Sequence, residues 1–239
     1  MKVNYLNRKM LTVVCSTVLF AGMSMTTNAQ QSQHKKKKNV QHAQQQLNIT
    51  QHEQRMTEYC QQLSQQQQLY LQSVAQLQQA KRMAQYRYQR QYSAQMLQQQ
   101  RRYDNTHSHN YQNDPFFRTA FDRRYNRGGT YYETNRYVVE HLQQAIQYGY
   151  AEGFQAGMAD RQDRWRFDYE QCDGYRDANY GYNGYYVNQD DYSYYFREGF
   201  RRGYEDGYNG RYHYGRLANG RYTILGSVLT GIITFEMLR

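Results

Sequence analysis

The residues able to do chemistry in this 239-residue chain fall into a few small groups. Asp160, Asp163, Asp168 and Glu170 alternate with Arg161, Arg164 and Arg166. Paired carboxylates can share acid and base roles, but alternating signs at this spacing read as a solvated ion-pair surface. His107 and His109 flank a serine in a polar stretch, and two ligands with no cysteine or acid beside them make a poor metal set. His141 falls inside a predicted helix. No CxxC, CxxCH, HExxH, GxSxG or phosphate-loop pattern occurs. The residues point to no catalytic group, no cofactor and no metal.

Two binding chemistries remain. Lys35, Lys36, Lys37 and Lys38 form a basic run that can hold a polyanion by counterion release, or serve only as a solubilising tail. Trp165, Tyr169 and Tyr175 lie in an Arg-rich stretch and suit stacking against a glycan. The plainer account is that rings this dense replace aliphatic volume in a small core, and it is the one preferred.

What must position these groups starts with a leader. Lys2, Arg8 and Lys9 precede an apolar stretch from Met10 to Met25, and Thr27-Asn28-Ala29 supplies small residues at a cleavage site. Those are the parts of a secretory signal peptide over residues 1–29. The chain is therefore expected to be exported, to the periplasm, outer surface or exterior. Beyond the leader stand Cys60 and Cys172, an even pair that an oxidising compartment permits to bond, without requiring it.

Charge then divides the mature chain. Residues 30–112 carry eleven Lys/Arg against three Asp/Glu, whereas residues 113–216 carry fourteen Arg, no Lys and sixteen Asp/Glu. Such asymmetry marks a boundary, near the single proline, Pro115. Residues 30–52, rich in Gln and Lys, are expected to be disordered. Residues 53–102 contain neither Gly nor Pro, and Met56, Leu63, Tyr70, Leu77 and Ala84 recur every seven positions. This predicts one long helix, either a weak coiled coil or a helix packed against its own domain. A linker at 103–115 follows.

The strongest pattern lies in residues 116–216. Ile146-Gln-Tyr-Gly149-Tyr-Ala-Glu-Gly153-Phe-Gln-Ala-Gly157 matches Phe196-Arg-Glu-Gly199-Phe-Arg-Arg-Gly203-Tyr-Glu-Asp-Gly207, fifty positions later. Glycines four apart share a helical face, with an aromatic ridge beside them. Each glycine costs a helix about 1 kcal/mol against alanine, so six cost roughly 5 kcal/mol. Close approach of the two helices is the natural compensation, and rows at i±4 favour a crossing near about −50°. Thr130 with Glu133 reads as a capping box, with Thr134 or Asn135 as alternatives, and Asp190 or Asp191 as the cap of the second helix. Residues 175–182 predict a short helix stopped at Asn183-Gly184. The apolar tail, residues 217–239, is too short to span a bilayer comfortably; packing on the core is the first reading and membrane association the second.

The order Gly149-Tyr-x-x-Gly153-x-x-x-Gly157, Tyr175-Arg-x-Ala178-x-x-Gly181-Tyr182, Phe196-Arg-x-Gly199-Phe-x-x-Gly203-Tyr-x-x-Gly207-Tyr resembles a group of secreted bacterial proteins with Tyr/Gly-rich helical repeats, of uncharacterised activity. The resemblance covers Tyr137 to Tyr214 and implies no mechanism. The whole reads as an all-α, non-enzymatic envelope protein: a Gln-rich helical arm and a small domain on two glycine-grooved helices. Its role would be structural or adhesive, with itself or envelope polymers as partners. Nucleic acid is not expected as the physiological target. A polyanion- or glycan-binding module is the alternative.

Overall fold

The structure, a computed structural model, describes residues 28–105, 110 and 113–238. The expected leader through Thr27 and the His107–His109 pair lie outside them. Helix α1 runs Asn28–Gln79 and α2 Met83–Asn105. A hairpin of β1 (Arg123–Arg127) and β2 (Thr130–Thr134) precedes α3 (Arg136–Gln162). A crossover carrying the short α4 (Asp173–Asp177) leads to α5 (Gln189–Asn209). A second hairpin, β3 (Gly215–Ala218) and β4 (Arg221–Ile224), is followed by α6 (Gly226–Ile232) and β5 (Phe235–Met237).

Helices dominate, as composition predicts, but the fold is not purely α. β5 pairs antiparallel with β1, giving the sheet order β2-β1-β5, while β3 and β4 form a sheet of two. Both hairpins turn on two residues with positive φ, Gly128-Gly129 (58°, 87°) and Asn219-Gly220 (50°, 72°). That is the geometry whose twist matches paired strands, and Gly-Gly and Asn-Gly are the sequences that adopt it. Thr130 and Glu133 are accordingly strand residues, not a capping box. Asn135 caps α3, accepting from the amides of Tyr137 and Val138.

The expected single helix over 53–102 is two helices. Lys81 at the bend has φ 58°, and the chain turns at Ala80–Arg82 without Gly or Pro. Asp163, from the end of α3, accepts from the amides of Ala84 and Gln85 at 2.8 Å each. A carboxylate from another element thus supplies the N-terminal cap that α2 lacks in its own sequence. The seven-residue stripe faces inward: Leu63, Tyr70 and Ala84 belong to the common core, Tyr59 and Tyr88 beside them join it, and Met56 and Leu77 are half-buried. Residues 30–52, expected to be disordered, are helical within α1, consistent with their Gln, Lys and Ala content.

The core is built on α3 and α5. A Cβ placed on Gly149, Gly153 or Gly157 would sit 2.0–2.2 Å from the carbonyl oxygens of Phe196, Phe200 and Tyr204. Placed on Gly199, Gly203 or Gly207 it would meet those of Ile146, Tyr150 and Phe154 at 2.0–2.1 Å. The contacts are reciprocal under the fifty-residue offset, so the two backbones touch about a local two-fold. Residue numbers rise together along both helices, which therefore run parallel. The glycine Cα–H groups point at facing carbonyls, and six such contacts at about 0.5–1 kcal/mol each offset much of the glycine penalty.

Parallel packing also explains the crossover. A 27-residue helix is about 40 Å long, so the chain must return that distance before α5 can start beside α3. On the way α4 stops at Ala178, which has φ 54°, short of the predicted Asn183-Gly184. Asn188, not Asp190 or Asp191, caps α5, accepting from the Asp191 amide at 2.8 Å. The C-terminal residues do not form a separate tail, since β3 begins at Gly215, before the expected boundary. Ile224 and Ile233 are buried in the core, and Val228, Leu229, Ile232 and Phe235 pack against it. Among the described residues no helix is long and apolar enough to cross a membrane.

Candidate functional site

The core is walled by tyrosines, and a phenol buried in a low-dielectric interior needs a hydrogen-bond partner. Carboxylates supply it. Tyr70 and Tyr92, from α1 and α2, donate to Asp177 Oδ2 at the end of α4 at 2.6 and 2.7 Å. Tyr204 of α5 donates to Asp160 of α3 at 2.6 Å, and Tyr150 of α3 to Asp206 of α5 at 2.8 Å. Tyr125 of β1 donates to Asp191 at 2.7 Å, and Tyr186 to Asp114 at 3.0 Å. Asp160, Asp177, Asp191 and Asp206 are at most 6 % exposed. Burial lifts the carboxyls of Asp160 and Asp177 above the usual range, while the phenols that donate to them pull the other way.

Two of the four acidic residues, Asp160 and Asp163, correct the expectation of a solvated ion-pair surface, while Glu170 is exposed. Asp160 is 1 % exposed and is bound by Arg82 as well as Tyr204. Asp163 caps α2. Only Asp168, paired with Arg166 at 2.8 Å, keeps the predicted surface partner. Sequence alone hides this, because Arg82, Ala84 and Tyr204 are far from Asp160 along the chain.

One carboxyl stands apart. Glu152 on α3 is 3 % exposed and has no cationic neighbour among the groups that perturb it. Burial pushes it up to about 7, and the Tyr88 hydroxyl of α2 facing it draws it slightly back. Tyr88 faces Cys172 and Asp173 as well, without a closed hydrogen bond. Where α2 meets α3, then, a carboxyl titrates in the physiological range. The other two singled-out groups are structural. His141 Nδ1 lies 3.1 Å from the Tyr137 carbonyl, its ring meets Tyr186 edge-on at 4.9 Å, and burial lowers its pKa. Cys172 is buried, which raises its thiol pKa, and it is not bonded to Cys60.

No family model, curated protein or solved structure matches this chain. The functional reading therefore rests on geometry.

The expected glycan-contact residues divide between two places. Tyr169 and Tyr175 meet at 4.9 Å, and Phe167 and Tyr204 join Tyr169 in the same ring cluster. Tyr175 is half-buried against Phe200. Trp165, 37 % exposed, instead lies beneath the Arg82 guanidinium, 4.3 Å from its ring centroid. Phe167 is 46 % exposed beside it in sequence. Arg161, Arg164 and Arg166 are exposed, and the Arg166 guanidinium lies 5.9 Å from the Trp165 ring centroid. Arg82, which packs on Trp165 with a side chain only 14 % exposed, has no sequence signal that links it to this stretch; the alternating Arg-aromatic run from 164 to 167 is the legible part. Lys35, Lys36, Lys37 and Lys38 fall within α1, and their side chains lie outside the described residues.

Proposed function

We propose that this chain is an exported, non-enzymatic protein of the cell envelope with a structural or adhesive role, acting through self-association or contact with envelope polymers. The observation that carries the reading is the use made of the chain's titratable groups. Asp160, Asp177, Asp191 and Asp206 each tie one element to another through a phenol, a guanidinium or backbone amides. Such groups hold a fold rigid, and their donors leave the carboxylates little capacity for a substrate. The signal-peptide pattern of residues 1–29 supports export.

Fractionation of the producing cell tests this most directly. Recovery of the mature chain outside the cytoplasm is expected, and recovery of an uncleaved cytoplasmic chain would overturn it. A broad hydrolase screen that loses turnover on His141→Ala or Asp160→Ala in a still-folded protein would overturn the non-enzymatic part.

A polyanion- or glycan-binding role is the second reading. It is favoured by the exposed Trp165, which carries the Arg82 and Arg166 guanidinium groups on its ring, in a sequence stretch that also exposes Arg161, Arg164 and Phe167. Polyanion binding weakens steeply as salt rises, whereas aromatic self-association does not, so a salt series separates the two readings.

A further inference from the structure

The α1–α2 pair meets the rest of the core along a seam rich in carboxyls and poor in cations. Glu152 on α3, and Asp173 and Asp177 at the two ends of α4, are all buried there. Asp177 is held from the pair by Tyr70 of α1 and Tyr92 of α2, at 2.6 and 2.7 Å. Ser73 of α1 and Tyr88 of α2 face Asp173, and Tyr88 faces Glu152 and the Cys172 thiol as well. Gly174 makes room for the Tyr88 hydroxyl, since a Cβ there would lie 2.8 Å from it. Tyr59 of α1, beside Asp177, and Tyr180 of the crossover, beside Glu152, are further titratable neighbours. The exposed Arg176 is the one cation among the groups that chiefly perturb the three carboxyls.

Donors are too few for this seam to hold its acids ionised. One hydroxyl, that of Tyr88, faces two carboxyls and a thiol, and neither it nor Asp173 Oδ2 has a closed hydrogen bond. A carboxylate buried without a cation or enough donors is costly, and a proton on it removes the charge and supplies a donor. Burial accordingly raises all three carboxyls towards the protonated form, Glu152 to about 7. Elsewhere the attachment is different in kind. At the α1–α2 bend Arg82 pairs with Asp160, and Asp163 accepts from the amides of Ala84 and Gln85. The α3–α5 contact rests on its glycines and needs neither α1 nor α2. Because α1 and α2 precede the other elements in sequence, they can leave the core without threading past any of them.

We infer that α1 and α2 form a strap, closed on the α3–α5 core while the carboxyls of this seam carry protons and released from it, ahead of any separation of α3 from α5, as those protons leave. The docked Glu152 binds its proton more tightly than it would in the open strap, where water restores the ordinary 4.5. Opening therefore releases a proton, and rising pH favours it. The opening constant should increase about thirtyfold between pH 5.5 and 8.5. Opening also uncovers Cys172, whose Sγ lies 3.5 Å from the Gln85 amide nitrogen of α2. The inference is independent of export and of any role in the envelope.

Hydrogen exchange on the full chain tests it, at pH 5.5 and 8.5, corrected for intrinsic rates and repeated over a series of low urea concentrations. Amides of α2 are expected to exchange faster than those of α3 and α5 at both pH values, through an opening that urea barely alters. That opening should grow about thirtyfold at the higher pH. Glu152→Gln keeps the side-chain shape and cannot ionise, so its pH dependence should fall below about threefold. The strap is refuted if α2 and α5 share one protection factor and one urea dependence, since α2 would then open only by global unfolding. It is refuted equally if the folded Glu152→Gln protein keeps the thirtyfold change. Should that variant not fold, labelling of Cys172 in a Cys60→Ser chain decides. A thiol reagent should modify Cys172 at pH 8.5 while α5 remains protected, and modification no faster than α5 exchanges would overturn the inference.

Discussion

Gly203→Ala adds one methyl group at the centre of the α3–α5 contact, and its cost can be worked from the facing helix. The new Cβ would lie 2.0 Å from the Tyr150 oxygen, 2.8 Å from its carbonyl carbon and 2.9 Å from the Phe154 nitrogen. Ordinary contact begins near 3.4 Å, so the facing backbone must withdraw by about 1.4 Å. All three obstructing atoms belong to the main chain of a helix whose own hydrogen bonds hold it straight, so no side chain can rotate out of the way. Overpacking of this kind costs about 1–3 kcal/mol, and separating the helices also weakens the neighbouring Cα–H contacts at about 0.5–1 kcal/mol each. Against that, alanine favours the helix by about 1 kcal/mol. The net expectation is a loss of about 3 kcal/mol, or a melting point roughly 10 °C lower for a chain of this size. Gly231→Ala in α6 is the control, because a Cβ there meets nothing within 4 Å; it should stabilise by about 0.5–1 kcal/mol. Urea and thermal melts followed by circular dichroism measure both. If Gly203→Ala melts like the wild type, the backbones do not touch as described.

Two further perturbations bear on how α2 is held. The folded Glu152 carboxyl binds its proton more tightly than the unfolded chain does, with a pKa of about 7 against an ordinary 4.5. Stability is therefore full below pH 4.5 and declines as pH rises through 7, by up to about 3 kcal/mol. Glu152→Gln should remove most of that slope between pH 5 and 8, measured by urea midpoints; an unchanged slope would place the titration elsewhere. Asp163→Ala strips the cap from α2 and should cost about 1–2 kcal/mol. Amide exchange should rise first at Ala84 and Gln85, and a uniform rise along the chain would contradict the cap.

The duplicated glycine pattern was legible because one spacing, repeated three times in each copy, has a single helical reading. The direction of the pairing was not legible. Glycine stripes serve parallel and antiparallel helices alike, and only the reciprocal contacts of Gly149 with Phe196 and Gly199 with Ile146 decide it. The inward stripe of Leu63, Tyr70 and Ala84 was visible as periodicity, but periodicity does not name the partner, which is the chain's own core. The hairpins were lost for a different reason. Thr130 with Glu133 imitates a capping box, although Arg-Gly-Gly-Thr and Ala-Asn-Gly-Arg between alternating residues are two-residue turn signals. The bend at Ala80–Arg82 carries no local signal, because the cap that permits it comes from Asp163.

A core of tyrosines instead of leucines has a consequence for specificity. Leucines tolerate small shifts of one helix past another, since their contacts are non-directional and about equally good in several registers. A buried phenol does not, because moving its oxygen away from the acceptor strands both groups in an apolar interior. Here Tyr150 reaches from α3 to Asp206 on α5, while Tyr204 reaches back from α5 to Asp160 on α3. The two bonds run in opposite directions across the same glycine-lined seam. A one-turn slip of α5 along α3 would keep the glycines in register with facing carbonyls for most of the contact, because the stripe repeats every four residues. It would break both phenol–carboxylate bonds at once. The glycines let the helices approach, and the tyrosine–aspartate pairs select which of the near-equivalent registers is occupied. That division of labour accounts for aspartates being buried beside a stripe that, on packing grounds alone, has no use for charge.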